Sequence, residues 1–110
     1  MTVQFLYSYK DMQGNEKSSL LNFSTNNPLD AKEETDFIRS LLIENRWFYA
    51  SDLCIPELFF DDFDPSLDLG WHEFIEIRTN PSPGREIQER WEDFLERLIE
   101  LQFEYSKVRE

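Results

Sequence analysis

Val3-Gln4-Phe5-Leu6-Tyr7-Ser8-Tyr9-Lys10, followed after a polar stretch by Leu21-Asn22-Phe23-Ser24-Thr25, decides the fold. Val3, Phe5, Tyr7 and Tyr9 alternate with Gln4, Ser8 and Lys10, and Leu21, Phe23 and Thr25 alternate with Asn22 and Ser24. Successive side chains of a strand point to opposite faces, so each run carries one apolar face. Between them Asp11-Met12-Gln13-Gly14-Asn15 supplies a turn, because Gly and Asn tolerate positive φ. The two runs predict a β-hairpin.

Downstream, Asn26-Asn27-Pro28 ends the hairpin and opens a helix, Pro28 suiting a first helical position, and Asp30 with Glu33 is a second candidate capping pair. Phe37, Ile38, Leu41 and Leu42 recur on one face of that helix, which is expected over Asp30–Glu44 with Asn45 as its left-handed stop. Arg46-Trp47-Phe48-Tyr49-Ala50 reads as a third strand. The stretch from Ser51 to Gly70 has no clean period, and a helical turn is expected near Pro56, carrying Leu58 to Phe60. Trp71 to Thr79 returns to strand character, with Ile75 and Ile77 facing one way and Phe74, Glu76 and Arg78 the other. Ser82 and Pro83 then read as the cap and first position of a last helix. Its stripe, Ile87, Trp91, Phe94, Leu98, Leu101, Tyr105 and Val108, follows spacings of 4, 3, 4, 3, 4 and 3. Lys107 and Arg109 near its end suit the helix dipole.

The expected fold class is therefore α+β. It comprises a β-hairpin, a helix, two further strands and a long C-terminal helix, with both helices on one face of a small, mostly antiparallel sheet. A chain of 110 residues makes one domain, residues 1–110. Its seventeen aromatic residues argue for a packed core despite the acidity.

Eleven Lys and Arg against 23 Asp and Glu give a formal charge of −12. Such a chain repels phosphate backbones and anionic lipid, so no direct nucleic-acid or membrane partner is expected. No apolar run reaches the ~20 residues of a membrane span, and the start lacks a basic, apolar leader, so a cytoplasmic location is expected. One cysteine, Cys54, excludes an internal disulfide. Flanked by Leu53 and Ile55, it reads as a small buried residue, and His72 reads as a strand residue with a surface or capping hydrogen bond. No nucleophile, base and orienting group form a set, so no enzyme activity and no cofactor are expected.

The acids concentrate between Ser51 and Asn80, where Arg78 is the only base. Within that stretch Phe59, Phe60, Asp61, Asp62, Phe63, Asp64 and Asp68 interleave aromatics with carboxylates, and Trp47 and Tyr49 are flanking anchors. Desolvated aromatics beside charge are what a surface docking into a basic cleft requires. The expectation is a non-enzymatic protein-binding protein, an inhibitor or immunity-type partner of a basic protein. The plainer reading is a solvated acidic loop that packs some of its Phe residues.

Two alternatives differ in geometry. A DNA mimic would need a carboxylate row along the outer face of the last helix, Glu89, Glu92, Asp93, Glu96 and Glu100, which Arg90 and Arg97 interrupt. A calcium-responsive module would use Asp62, Asp64, Ser66 and Asp68 at alternating positions, with Glu73 as the terminal ligand of a calcium loop. Leu67 stands where such a loop needs Gly, and Pro65 stiffens it. Leu95, Ile99 and Phe103 widen the last helix's stripe, which makes a homodimer sharing that helix a further expectation.

Overall fold

The computed structural model describes residues 1–66, 68, 70–79 and 83–108. The hairpin forms as the alternation requires: β1 (Thr2–Lys10) pairs antiparallel with β2 (Glu16–Ser24), placing Val3 opposite Phe23 and Phe5 opposite Leu21. Gly14 sits at φ 88 in the connecting turn. The remaining elements are α1 (Ala31–Ser40), β3 (Trp47–Phe48), a 3-10 turn (Ala50–Leu53), β4 (His72–Arg78), β5 (Arg85–Arg90) and α2 (Trp91–Val108). The five strands lie in the order β3-β4-β1-β2-β5.

The odd residues of β1 build the core. Val3, Phe5 and Tyr7 are fully buried in one cluster with Phe23, Phe48, Phe74 and Ile77 from the other strands. Ile38, Leu41 and Leu42, in and just beyond α1, and Trp91, Phe94 and Leu98 from α2 belong to the same cluster. Phe5 touches the rings of Tyr7, Phe48, Phe74 and Phe94 at centroid distances of 5.1 to 5.9 Å. Tilted and edge-on pairs of this kind add to the burial of the rings.

Asp30 caps α1 by accepting from the Glu33 N–H at 2.9 Å. The helix ends at Ser40, short of the expected Glu44, because the chain must reverse to reach the sheet. Glu44 and Asn45 both take positive φ, 52° and 61°, and close a three-residue loop in which Ile43 and Trp47 exchange backbone hydrogen bonds. Asn45 thus makes a strand-to-strand reversal rather than a helix stop. Only Trp47 and Phe48 of the expected third strand pair with β4, as Trp47 to Glu73 and Phe48 to His72.

Beyond Phe74 the outer edge of β4 has, among the described residues, no strand beside it, and α1 takes that place. The Arg39 guanidinium donates to the Ile75 carbonyl at 2.7 Å, and the Thr35 hydroxyl accepts from the Ile77 N–H at 3.0 Å. A strand edge left bare would carry unpaired donors and acceptors, and these two side chains satisfy them. The facing of β4 also differs from strict alternation. Leu6 pairs with Glu76 but Tyr7 with Phe74, so Ile75 is the extra residue of a bulge. The bulge turns Phe74 and Ile77 to the same side, and both are buried, whereas Ile75 is only half-buried.

The largest departure concerns Arg85–Arg90. Its Arg, Glu and Gln favour helix, yet the segment is a parallel edge strand beside β2, with Leu21 opposite Arg85 and Asn22 opposite Glu86. The open edge of β2 offers ladder hydrogen bonds that outweigh the small propensity difference. Ile87 therefore leaves the helical stripe, and α2 begins at Trp91. Pro83 precedes the strand instead of opening a helix, and Ser82 lies outside the described residues.

Candidate functional site

The expected helical turn at Pro56 is absent: residues 55–60 run without regular structure, and among the described residues of this region the helical turn is Ala50–Leu53. Three hydrogen bonds fasten them to the sheet. The Tyr7 hydroxyl donates to the Pro56 carbonyl at 2.7 Å, and its burial pushes that phenol up to about 12. The Leu58 N–H donates to His72 Nε2 at 2.9 Å, and Lys17 Nζ to the Phe59 carbonyl at 3.2 Å.

Phe59, Phe60 and Phe63 are all half-buried. Phe59 and Phe63 stack at 3.9 Å, Phe59 meets Tyr9 edge-on at 5.0 Å, and Lys17 Nζ sits 4.6 Å from the Phe60 ring centre. The three rings cap the end of the core over Tyr9. Core packing thus takes part of every one of these rings.

The loop's carboxylates divide by role. Asp64 accepts from the N–H and hydroxyl of Ser66 at 2.9 and 2.7 Å, and these hold its carboxyl below the usual range. Asp68 accepts from the Asp64 and Met12 N–H groups at 3.0 and 3.2 Å, tying the loop to the hairpin tip. Asp61 and Asp62 are exposed. Among the described residues the ion pairs lie elsewhere: Lys32–Asp36, Arg46–Glu73, Arg78–Glu76, Arg90–Glu92 and Arg97–Glu89. Met12, 67% exposed, projects beside this uncompensated charge and lines a surface hollow with Asp62, Asp64 and Asp68.

Glu73 stands apart from the other calcium-loop candidates, on β4, where it binds Arg46 at 2.8 Å. Among the described residues no group of three or more His, Cys, Asp or Glu is arranged to hold a metal ion. The carboxylate row of the alternative reading is also broken, since Glu89 lies in β5 and grips Arg97. Glu92 faces β2's end, accepting from the Thr25 hydroxyl and, at 2.8 Å, from the Asn27 amide.

His72 and Cys54 exchange their expected settings. His72 is fully buried: Nε2 accepts from Leu58, so Nδ1 is the protonated nitrogen and donates to the Gly70 carbonyl at 3.2 Å. Burial pushes the imidazole below its ordinary value. Cys54 is exposed and left-handed at φ 57, where it ends the 3-10 turn.

Trp47 and Tyr49 flank a second feature. Trp47 stacks on Trp71 at 5.9 Å, with the Arg46 guanidinium 4.4 Å from its ring centre. On the other side of Trp71 lies a groove of about 370 Å³ lined by Ile43, Tyr49, Asp52, Trp71, Leu101, Glu104 and Tyr105. The Tyr105 hydroxyl accepts from the Tyr49 N–H at 3.2 Å and donates to Asp52 at 3.4 Å, fixing the two rims together. Its burial raises the phenol far above the ordinary tyrosine range. Of these residues the sequence singled out only Tyr49 as a contact residue; Leu101 and Tyr105 stood in the stripe of the last helix and Trp71 at a strand start, and nothing local brings these distant segments together.

Comparison with protein-family models, with curated proteins and with solved structures finds no match to this chain. Among the described residues no helix is long and apolar enough to cross a membrane.

Proposed function

We propose that this is a protein-binding protein whose acidic end, around the hairpin tip and the 57–68 loop, docks against a basic protein as an inhibitor or immunity-type partner. The observation that carries the reading is a cluster of carboxylates at one end: Asp62, Asp64 and Asp68 line one hollow beside exposed Asp61, and among the described residues none of the four is in an ion pair. Exposed like charges cost the free protein a little stability and speed encounter with an opposite surface. The Phe rings beneath and the Asp64 and Asp68 hydrogen bonds tie residues 59–66 down before binding, and such preorganisation lowers the ordering cost of association.

The test uses Asp61→Lys/Asp62→Lys, which alters only exposed carboxylates and leaves Asp64 and Asp68 to hold the loop. Wild type and variant are compared for proteins retained from cell lysate at low and moderate salt, and the retained protein is then purified for stopped-flow association. A basic protein should associate at least about tenfold more slowly with the variant, with a flatter salt dependence. Equal rates with both proteins would remove the acidic end from the function and leave its charge as a solubility feature.

A further inference from the structure

The groove beside Trp71 has a composition that the acidic end lacks. Its aromatic lining is Tyr49, Trp71 and Tyr105, its aliphatic walls are Ile43 and Leu101, and its carboxylates are Asp52 and Glu104. Tyr49 is 39% exposed, and it meets Trp71 edge-on at 6.3 Å. We infer that this groove seats the side chain of one arginine or lysine of a basic protein partner; the inference rests on the reading of the chain as a partner of such a protein and names a second point of contact.

Each part of the groove answers a part of that side chain. Aromatic faces attract cations through the negative potential above the ring, and Trp is the strongest of the three ring types. Aliphatic walls cover the methylene stem, which long cationic side chains bury while keeping the head group near water. Asp52, held in place by the Tyr105 hydroxyl, is the carboxylate that pairs with the head group. The chain already uses this chemistry on itself, with Arg46 over Trp47 at 4.4 Å and Lys17 over Phe60 at 4.6 Å. Charge also selects the occupant. A phosphate or carboxylate ligand would face Asp52, and a second copy of a chain carrying −12 would approach against repulsion.

The experiment titrates the full chain with N-acetyl-arginine methylamide at low salt, followed by the indole N–H resonance of Trp71. N-acetyl-citrulline methylamide, of nearly the same shape but uncharged, and the corresponding lysine derivative are run alongside. The arginine and lysine compounds should saturate in the millimolar range and move Trp71. Asp52→Asn should weaken them roughly two- to fivefold, and Tyr49→Leu by a similar factor. Asp61→Lys/Asp62→Lys should leave their binding at Trp71 in place. Equal binding of the citrulline compound, or shifts confined to the 57–68 loop, would overturn the inference. Such a result would leave the association kinetics of the acidic end to stand or fall by themselves.

Discussion

Arg97 grips Glu89 through two parallel hydrogen bonds of 2.6 and 2.7 Å, and the same guanidinium donates to the Leu53 carbonyl at 2.9 Å. One side chain of α2 thereby fixes the edge strand β5 and the end of the 3-10 turn. The pairing raises the arginine further above its ordinary value, through the Glu89 hydrogen bonds first. Lysine carries the charge but has no planar fork. Arg97→Lys should lower stability by about 1–2 kcal/mol in urea unfolding, more than an exposed pair would. A loss indistinguishable from that of Lys32→Ala, at an exposed helix pair, would show that the fork adds nothing.

His72 links stability to pH. The unfolded imidazole titrates near 6.5, and burial lowers the folded value. Above 6.5 both states are neutral and the stability is complete. As pH falls, the unfolded chain takes up its proton first, so stability declines from about 6.5 down to the folded value and then levels off. Thermal melts between pH 8 and pH 5 should show this decline in wild type, and His72→Gln should flatten it while lowering stability throughout.

Gly84 lies against β2, where an added Cβ would stand 2.8 Å from the Leu20 carbonyl oxygen and 2.9 Å from Leu20 Cβ. Backbone cannot move aside as a side-chain tip can. Gly84→Ala should therefore cost about 1–3 kcal/mol, although replacing glycine by alanine ordinarily gains from a less flexible unfolded chain. An alanine variant with an unchanged melting temperature would place the β5 approach further from Leu20.

Phe63→Ala removes the ring stacked on Phe59, and should destabilise the protein by about 1–3 kcal/mol. Hydrogen exchange at the Leu58 and Asp64 amides should speed up in the same variant. A variant as stable as wild type would mean that the ring is poised for a partner instead of packing over the core.

Cys54 should react with a maleimide in the native state without prior unfolding, since it is exposed. Cys54→Gly should hold or raise stability, by up to about 1 kcal/mol, because φ 57 suits glycine better than a residue with Cβ. Protection of the thiol until global unfolding would contradict the exposed setting.

The hairpin, β4 and most of α2 were legible because their signals are local. Val3 to Tyr9 alternates with period 2, and Trp91 to Tyr105 repeats with the helical period. What the sequence concealed was imposed from elsewhere. Arg85–Arg90 has helix-forming residues and becomes a strand only because β2, some sixty residues earlier, leaves an edge open; Asn22 and Glu86, 64 positions apart, hydrogen-bond across it. The bulge at Ile75 depends on register with Leu6 and Tyr7, which no reading of β4 alone contains. The acidic loop was recognisable by composition, but its division into holding and exposed carboxylates was not. That division follows from which oxygens meet Ser66, Met12 and the Asp64 N–H.

The parallel pairing of β5 with β2 also sets an order of events during synthesis. Hairpins close in microseconds, and β1 and β2 can meet as soon as both have left the ribosome. Yet β1 is the central strand, and its other neighbour, β4, is made only some fifty residues after β2. Until β4 and β5 emerge, both sides of the hairpin are unfilled templates, and Phe5 lacks the Phe74 and Phe94 rings that pack on it from β4 and α2. A nascent chain is therefore committed late, with its most adhesive surface made first. Any chaperone contact this chain needs falls in the interval between Ser24 and Arg85.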